Sequence, residues 1–149
     1  MTTIQFPTEF SELLTLLNDH DVRYLVVGGY AVTYHGYPRT TGDLDLWIEQ
    51  TETNADRVVD ALHAFGFDVP TLESTLFLEE DRIVRIGHPP LRVEIFPSVS
   101  GVDFAPCYDE RVIDELGSVE AAIIGLECLK KNKRASGRHK DLDDLEHLP

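Results

Sequence analysis

The segment DLDLWI, Asp43 to Ile48, restricts the fold of this chain more than any other feature. Its alternation reads as a β-strand, with Asp43, Asp45 and Trp47 on one side and Leu44, Leu46 and Ile48 on the other. Two ionised carboxylates about 7 Å apart on one face repel each other and give a sheet nothing in return. A divalent cation between them makes sense of the pair, because Mg²⁺ takes hard oxygen ligands: one or two carboxylates, water and substrate phosphates. Taken alone, a D-x-D string is weak in a chain holding 27 Asp and Glu, and a solvated strand end is the plain alternative.

Two further features add to the pair. Glu94 lies in LRVEIF between Val93 and Ile95, so its side chain leaves the core on the face opposite theirs. Three acids on neighbouring strands form a two-metal candidate, in which one ion activates an attacking hydroxyl and the other holds the leaving phosphates. Gly28-Gly29 closes the apolar run LVV and opens a short helical stretch. Such a junction lets backbone amides approach a phosphate, although a simple tight turn explains the glycines equally well.

The order of patterns is α-β-α-β-α-β-β followed by helices. A helix is expected from about Thr8 to Asn18, with Phe10, Leu13, Leu14 and Leu17 on one face. RYLVV reads as a strand, YAVTYHG as a short helix stopped by Gly36 and Pro38, and DLDLWI as a second strand. Asn54 to Phe65 has helical spacing, with Asn54 as N-cap and Gly66 as stop. RIVRI and LRVEIF are further strands separated by the turn GHPP. Helical patterns then run around Glu110 to Leu116, Val119 to Leu129, and His139 to Leu148. The whole is an α/β or α+β domain with a small mixed sheet, flanking helices and a helical C-terminal third.

At 149 residues the chain is expected to form one domain, 1–149. A net charge of −14 argues against a protein that coats nucleic acid or anionic membrane. No apolar run nears the roughly 20 residues that span a bilayer, and MTTIQFPTEF lacks the pattern of a signal peptide. A cytoplasmic location is the expectation. Cys107 and Cys128 have no metal-like spacing and read as two reduced thiols rather than a disulfide.

Positive charge is concentrated in KKNKRASGRHK, Lys130 to Lys140, which holds six of the thirteen Lys and Arg. A solvated helix end is the ordinary explanation of such a block. His35, His63 and His88 read as structural or unassigned, and Trp47 as a packing residue that also flanks the acid face.

The set Gly28-Gly29, Arg39, Thr41, Asp43, Asp45 and Glu94 resembles the nucleotidyltransferase superfamily that includes polymerase β and the kanamycin nucleotidyltransferases. GGYAVTYHGYPRTTGDLDLWI and KRASGRHKDLDDLEHL are more similar to a small bacterial branch related to abortive-infection and toxin–antitoxin nucleotidyltransferases. The resemblance runs from about Val22 to Leu148. It departs from the superfamily at Gly29, where serine is usual, and at Glu94, where aspartate is frequent.

The resemblance implies a minimal nucleotidyltransferase fold and a Mg²⁺-dependent reaction using two ions, with Mn²⁺ as a substitute. A nucleoside monophosphate would pass from a nucleoside triphosphate to a hydroxyl of a tRNA, a protein or a small molecule. Asp43, Asp45 and Glu94 would be the metal-binding and catalytic residues. Gly28, Gly29, Arg39, Lys133 and Arg138 would contact the phosphates, with Asp141 orienting one of the cations. A toxin–antitoxin role with a cognate antitoxin belongs to the same expectation. The alternative is a catalytically degenerate nucleotide- or partner-binding protein of the same fold.

Overall fold

The computed structural model describes residues 5–39, 41–88 and 90–149. The elements are α1 (Thr8–Asp19), β1 (Tyr24–Val27), α2 (Gly28–Tyr34), β2 (Asp43–Ile48), α3 (Glu52–Phe65), a 3₁₀ turn (Ser74–Phe77), β3 (Val84–His88), β4 (Leu91–Phe96), α4 (Phe104–Asp109), β5 (Val112–Leu116), β6 (Val119–Ile123), α5 (Leu126–Ser136) and α6 (His139–His147). The strands form one mixed sheet in the order β3-β4-β2-β1-β6-β5. β2 runs parallel to β4, β1 runs parallel to β6, and the remaining neighbours are antiparallel.

Helices α1 and α3 pack on each other, and α1 also packs on β6. Phe10, Leu13, Leu14 and Leu17 of α1 and Val58, Ala61 and Leu62 of α3 are buried there, as their three-and-four spacing requires. On the acid-bearing face of the sheet, the fully buried Trp47 meets Phe104 edge to face at 5.2 Å. This interaction anchors α4 against the sheet, and it makes Trp47 a packing residue. α5 and α6 pack together.

Three local expectations are corrected. The N-cap of α3 is Thr51, whose hydroxyl accepts from the Asn54 amide. Asn54 is instead buried, and its side chain ties Arg23 of the preceding loop to Glu49. The stretches around Glu110 to Leu116 and from Val119 are not helical: they form the antiparallel hairpin β5–β6, joined by Gly117-Ser118 with Gly117 at φ +64°. The β-branched residues Val112, Ile113, Val119 and Ile123, with a glycine that accepts positive φ, favour the hairpin. β6 then gains a second partner, because Val26 pairs with Ile123, and burial on both sides outweighs the helical spacing. Only α5 and α6 carry the expected helices of the last third.

The third correction concerns the cysteines. Cys107 in α4 and Cys128 in α5 are joined as a disulfide, with a Cα–Cα distance of 6.0 Å. They stand on two helices separated by the β5–β6 hairpin, so their approach depends on tertiary packing that spacing along the chain does not show. No helix among the described residues is long and apolar enough to cross a membrane. Within the expected GHPP turn, His88 belongs to β3 and Pro89 lies outside the described residues, as does the Met1 to Ile4 part of the N-terminal stretch.

Candidate active site

Strand register assembles the acids. Asp45 sits opposite Glu94 of β4 on one side and Val27 of β1 on the other, while Asp43 sits opposite Arg92. Residues paired across neighbouring strands share a face. Asp43, Asp45 and Glu94 therefore lie on one side of the sheet, at the end of β1 where Gly28 begins α2.

Gly28 is committed to this arrangement. Its φ is +67°, and a Cβ on it would be driven into the Asp45 carboxylate. A Cβ on Gly29 would lie 2.5 Å from Thr41 Oγ1, so a serine at this position needs Thr41 to move. The two glycines let the turn close directly over Asp45. Gly28→Ala is expected to cost about 1–2 kcal/mol from the left-handed backbone alone. It should also displace the Asp45 carboxyl. Thermal melts check the cost, and an alanine variant as stable as wild type refutes the close approach.

Asp45 Oδ1 is buried and has no hydrogen-bond partner among the described residues. Burial pushes the Asp45 carboxyl up to about 7, helped by the neighbouring charges of Glu94 and Asp43 and opposed by Lys140 and Lys133. A carboxylate held in this way is short of positive charge.

The other two acids have cations already. Arg92 Nη2 lies 2.8 Å from Asp43 Oδ2 and 3.5 Å from Glu94 Oε1, and Arg85 Nε lies 3.1 Å from Glu94 Oε2. Among the described residues no three His, Cys, Asp or Glu side chains gather tightly enough to hold an ion; Arg92 stands between two of those that would. In donor chemistry alone, three carboxylates, one with an unpartnered oxygen, are the kind of oxygen ligand that a hard divalent ion takes.

Asp45 and Gly28 form part of the wall of a cavity of about 680 Å³. Phe96, Ser98, Ser100, Asn132, Lys133 and Arg138 also line it. That volume lies in the range of small-molecule sites.

The basic block divides into two kinds of residue. Lys133 is only 5% exposed, with Nζ 3.1 Å from Asp141 Oδ1 and 3.0 Å from Asp144 Oδ2. Arg39 reaches the same Asp144 at 3.0 Å, tying the loop before β2 to α6. Lys133 and Arg39 are thus paired inside the protein. Arg138 differs: 71% exposed, it touches Asp141 through Nε at 2.8 Å and keeps most of its guanidinium in solvent. Asp141 also accepts from the Arg138 backbone and so caps α6.

Arg92, Arg85, Lys140 and Asp144 are not among the candidate residues expected from the sequence. Arg92 was within reach, since alternation along LRVEIF places it on the Glu94 face. Asp144 lies three residues after Asp141, one helical turn. Arg85 needed the β3–β4 register, and Lys140 the fold itself. His35, read as structural, bonds through Nε2 to the Ile124 carbonyl at 2.7 Å.

Comparison with known proteins agrees with this architecture. A Thermotoga maritima candidate nucleotidyltransferase superposes with a TM-score of 0.64 at 14% identity, covering 92% of this chain and 88% of that one. The lincosamide antibiotic adenylyltransferase LnuA, solved with lincomycin bound, superposes with a TM-score of 0.55 at 15% identity, covering 99% and 98%. At these identities the likeness is one of fold, and it is the nucleotidyltransferase fold. No curated protein matches in sequence. The family model described as Aminoglycoside-2''-adenylyltransferase matches residues 9–95, more than half of the chain, from α1 through Glu94. The chain therefore belongs to the aminoglycoside-2''-adenylyltransferase family, within the nucleotidyltransferase superfamily.

Proposed function

We propose that the protein transfers a nucleoside monophosphate, adenylate by its family, from a nucleoside triphosphate to a hydroxyl of a small molecule. The observation that carries this reading is the Asp45–Glu94 register, with the unpartnered Asp45 Oδ1 in the wall of a cavity that also holds Arg138. Asp43, Asp45 and Glu94 would hold the divalent ions, Mg²⁺ or Mn²⁺ in its place. Bound there, the metal would neutralise phosphate charge and lower the pKa of the acceptor hydroxyl.

The chain's own part is positioning and proton transfer. The amides at Gly28 and Gly29 and the guanidinium of Arg138 orient the triphosphate. Lys133, Asp141, Asp144 and Arg39 brace α5 and α6 against the loop before β2, fixing where Arg138 stands. Glu94 takes the proton of the acceptor hydroxyl. The acceptor oxygen then bonds to the α-phosphorus, the α–β anhydride bond breaks, and pyrophosphate leaves.

The small-molecule acceptor is supported by the cavity volume, by the family's description and by a fold relative solved with lincomycin. A tRNA or protein acceptor, with a toxin–antitoxin role and a cognate antitoxin, is the competing assignment within the same chemistry. The degenerate, non-catalytic reading gains weight from Arg92 and Arg85 occupying Asp43 and Glu94.

Titration calorimetry with each of the four ribonucleoside triphosphates, with and without Mg²⁺, tests the proposal on wild type and on Asp43→Asn/Asp45→Asn. Metal-dependent binding that the double variant loses is the expected result. Pyrophosphate release with aminoglycosides, lincosamides or total tRNA then separates the acceptors. Binding without release in every case favours the degenerate module, and no binding by folded wild type defeats the enzyme reading.

A further inference from the structure

Arg92 belongs to the face of the sheet that holds the three acids, yet it has no part in the chemistry above. Its Nη2 sits between Asp43 Oδ2 and Glu94 Oε1, at 2.8 and 3.5 Å. Its Nε is buried without a partner among the described residues. The guanidinium is thus held to the acids through one nitrogen, and the five-donor fork that makes arginine pairs strong is mostly unused. The side chain is 34% exposed, so solvent lies on its free side. Among the described residues the Arg85 side chain pairs with Glu94, and it is 56% exposed.

An ion bound between Asp43 Oδ2 and Glu94 Oε1 would take the position where Arg92 Nη2 now lies. Two cations cannot share that position, because their repulsion adds to the loss of the arginine's own pairs. We infer that Arg92 is the resident counter-cation of the Asp43–Glu94 pair and that a divalent ion binds by displacing it, so that metal uptake at this site is a cation exchange. The inference rests on reading the three acids as a metal site, and it goes beyond that reading by assigning Arg92 the role of a positioning residue that sets the ion's affinity. While Arg92 is in place, Asp43 and Glu94 remain paired with it. Once it leaves, they can close with Asp45 on the ion. Asp45, whose buried Oδ1 has no partner among the described residues, is the carboxylate free to meet the ion first.

The test is direct binding of MnCl₂ to the full chain, followed by electron paramagnetic resonance. Wild type, Arg92→Met, Arg92→Lys and Arg85→Met are compared at low salt and at about 0.5 M NaCl, where the screening length falls to about 4 Å. Displacement predicts that Arg92→Met binds Mn²⁺ about tenfold more tightly than wild type, and more tightly than Arg85→Met. It also predicts that the gain survives high salt, since a steric and pairwise competition is poorly screened. Arg92→Lys should fall between, because it keeps the charge and loses the planar contact. In wild type, the Arg92 side-chain resonance should shift during a MgCl₂ titration with the same midpoint as binding.

Unchanged or weaker Mn²⁺ binding in folded Arg92→Met overturns the inference while leaving the metal site standing. A gain that disappears at about 0.5 M NaCl also overturns it, since only general charge is then involved. If neither wild type nor Arg92→Met binds Mn²⁺, the metal reading itself falls, and the inference falls with it.

Discussion

Asp45→Asn should make the protein more stable at pH 8 and remove its transfer activity. The two effects have opposite signs because the residue is costly to keep. Burial, with Glu94 and Asp43 nearby, lifts its carboxyl to about 7 in the folded state, against an ordinary value of about 3.9 for the unfolded chain. A group whose folded pKa is raised binds its proton more tightly on folding. Its favourable contribution is complete below about pH 4 and is lost as the pH climbs through about 7. Each tenfold gain in proton affinity is worth ~1.36 kcal/mol. The partial exposure of the side chain argues for taking less than the full sum.

The advantage of the asparagine variant over wild type is therefore expected to grow by about 2 kcal/mol between pH 5 and pH 8, in urea unfolding with EDTA present. If its advantage is flat across that range, the destabilised carboxylate is refuted. In turnover, loss of one preorganised electrostatic group commonly costs about 10²–10³-fold, and at least that is expected here. Stability sacrificed for a charged site is a recurring feature of active sites.

Lys133→Met should be the most destabilising single change in the basic block. Lys133 is nearly enclosed and neutralises Asp141 and Asp144, both almost fully buried. Removing one partner of a buried pair leaves an uncompensated charge and costs about 3–5 kcal/mol. Arg39 and Arg138 remain on the two aspartates, which places the expectation near the lower end of that range. Arg138→Met is the comparison: its side chain is mostly in solvent, and such pairs are worth about 0–1 kcal/mol. The two variants should separate cleanly. Lys133→Met lowers the unfolding midpoint, whereas Arg138→Met leaves it nearly in place and weakens triphosphate binding in calorimetry. A Lys133→Met protein that unfolds within about 1 kcal/mol of wild type contradicts the network as described.

Lys133 also shows how the basic block could mislead. In the sequence it is one of six cations in eleven residues, with nothing to mark it as the one turned inward. The pairing of Lys133 with residues eight and eleven positions later depends on α6 packing back on α5, after the turn at Gly137 with φ +64°. Arg39 is similar, because its partner Asp144 lies 105 residues away.

The sequence by itself determined what depends on local periodicity. The period of two places Asp43 and Asp45 on one face of a strand and Glu94 opposite Val93 and Ile95. The three-and-four spacing defines α1 and the body of α3, and glycines mark where helices end. Only the tertiary structure decided which strands are neighbours and in what register, bringing Glu94 beside Asp45 and Arg92 beside Asp43. It also turned Val112 to Ile123 into a hairpin, joined Cys107 to Cys128, and buried Lys133. The division has one physical cause. Side-chain direction along a strand or helix follows from backbone geometry within a few residues, whereas strand neighbours and charge partners are chosen by burial and pairing between distant segments, which overrule local preference where the two disagree.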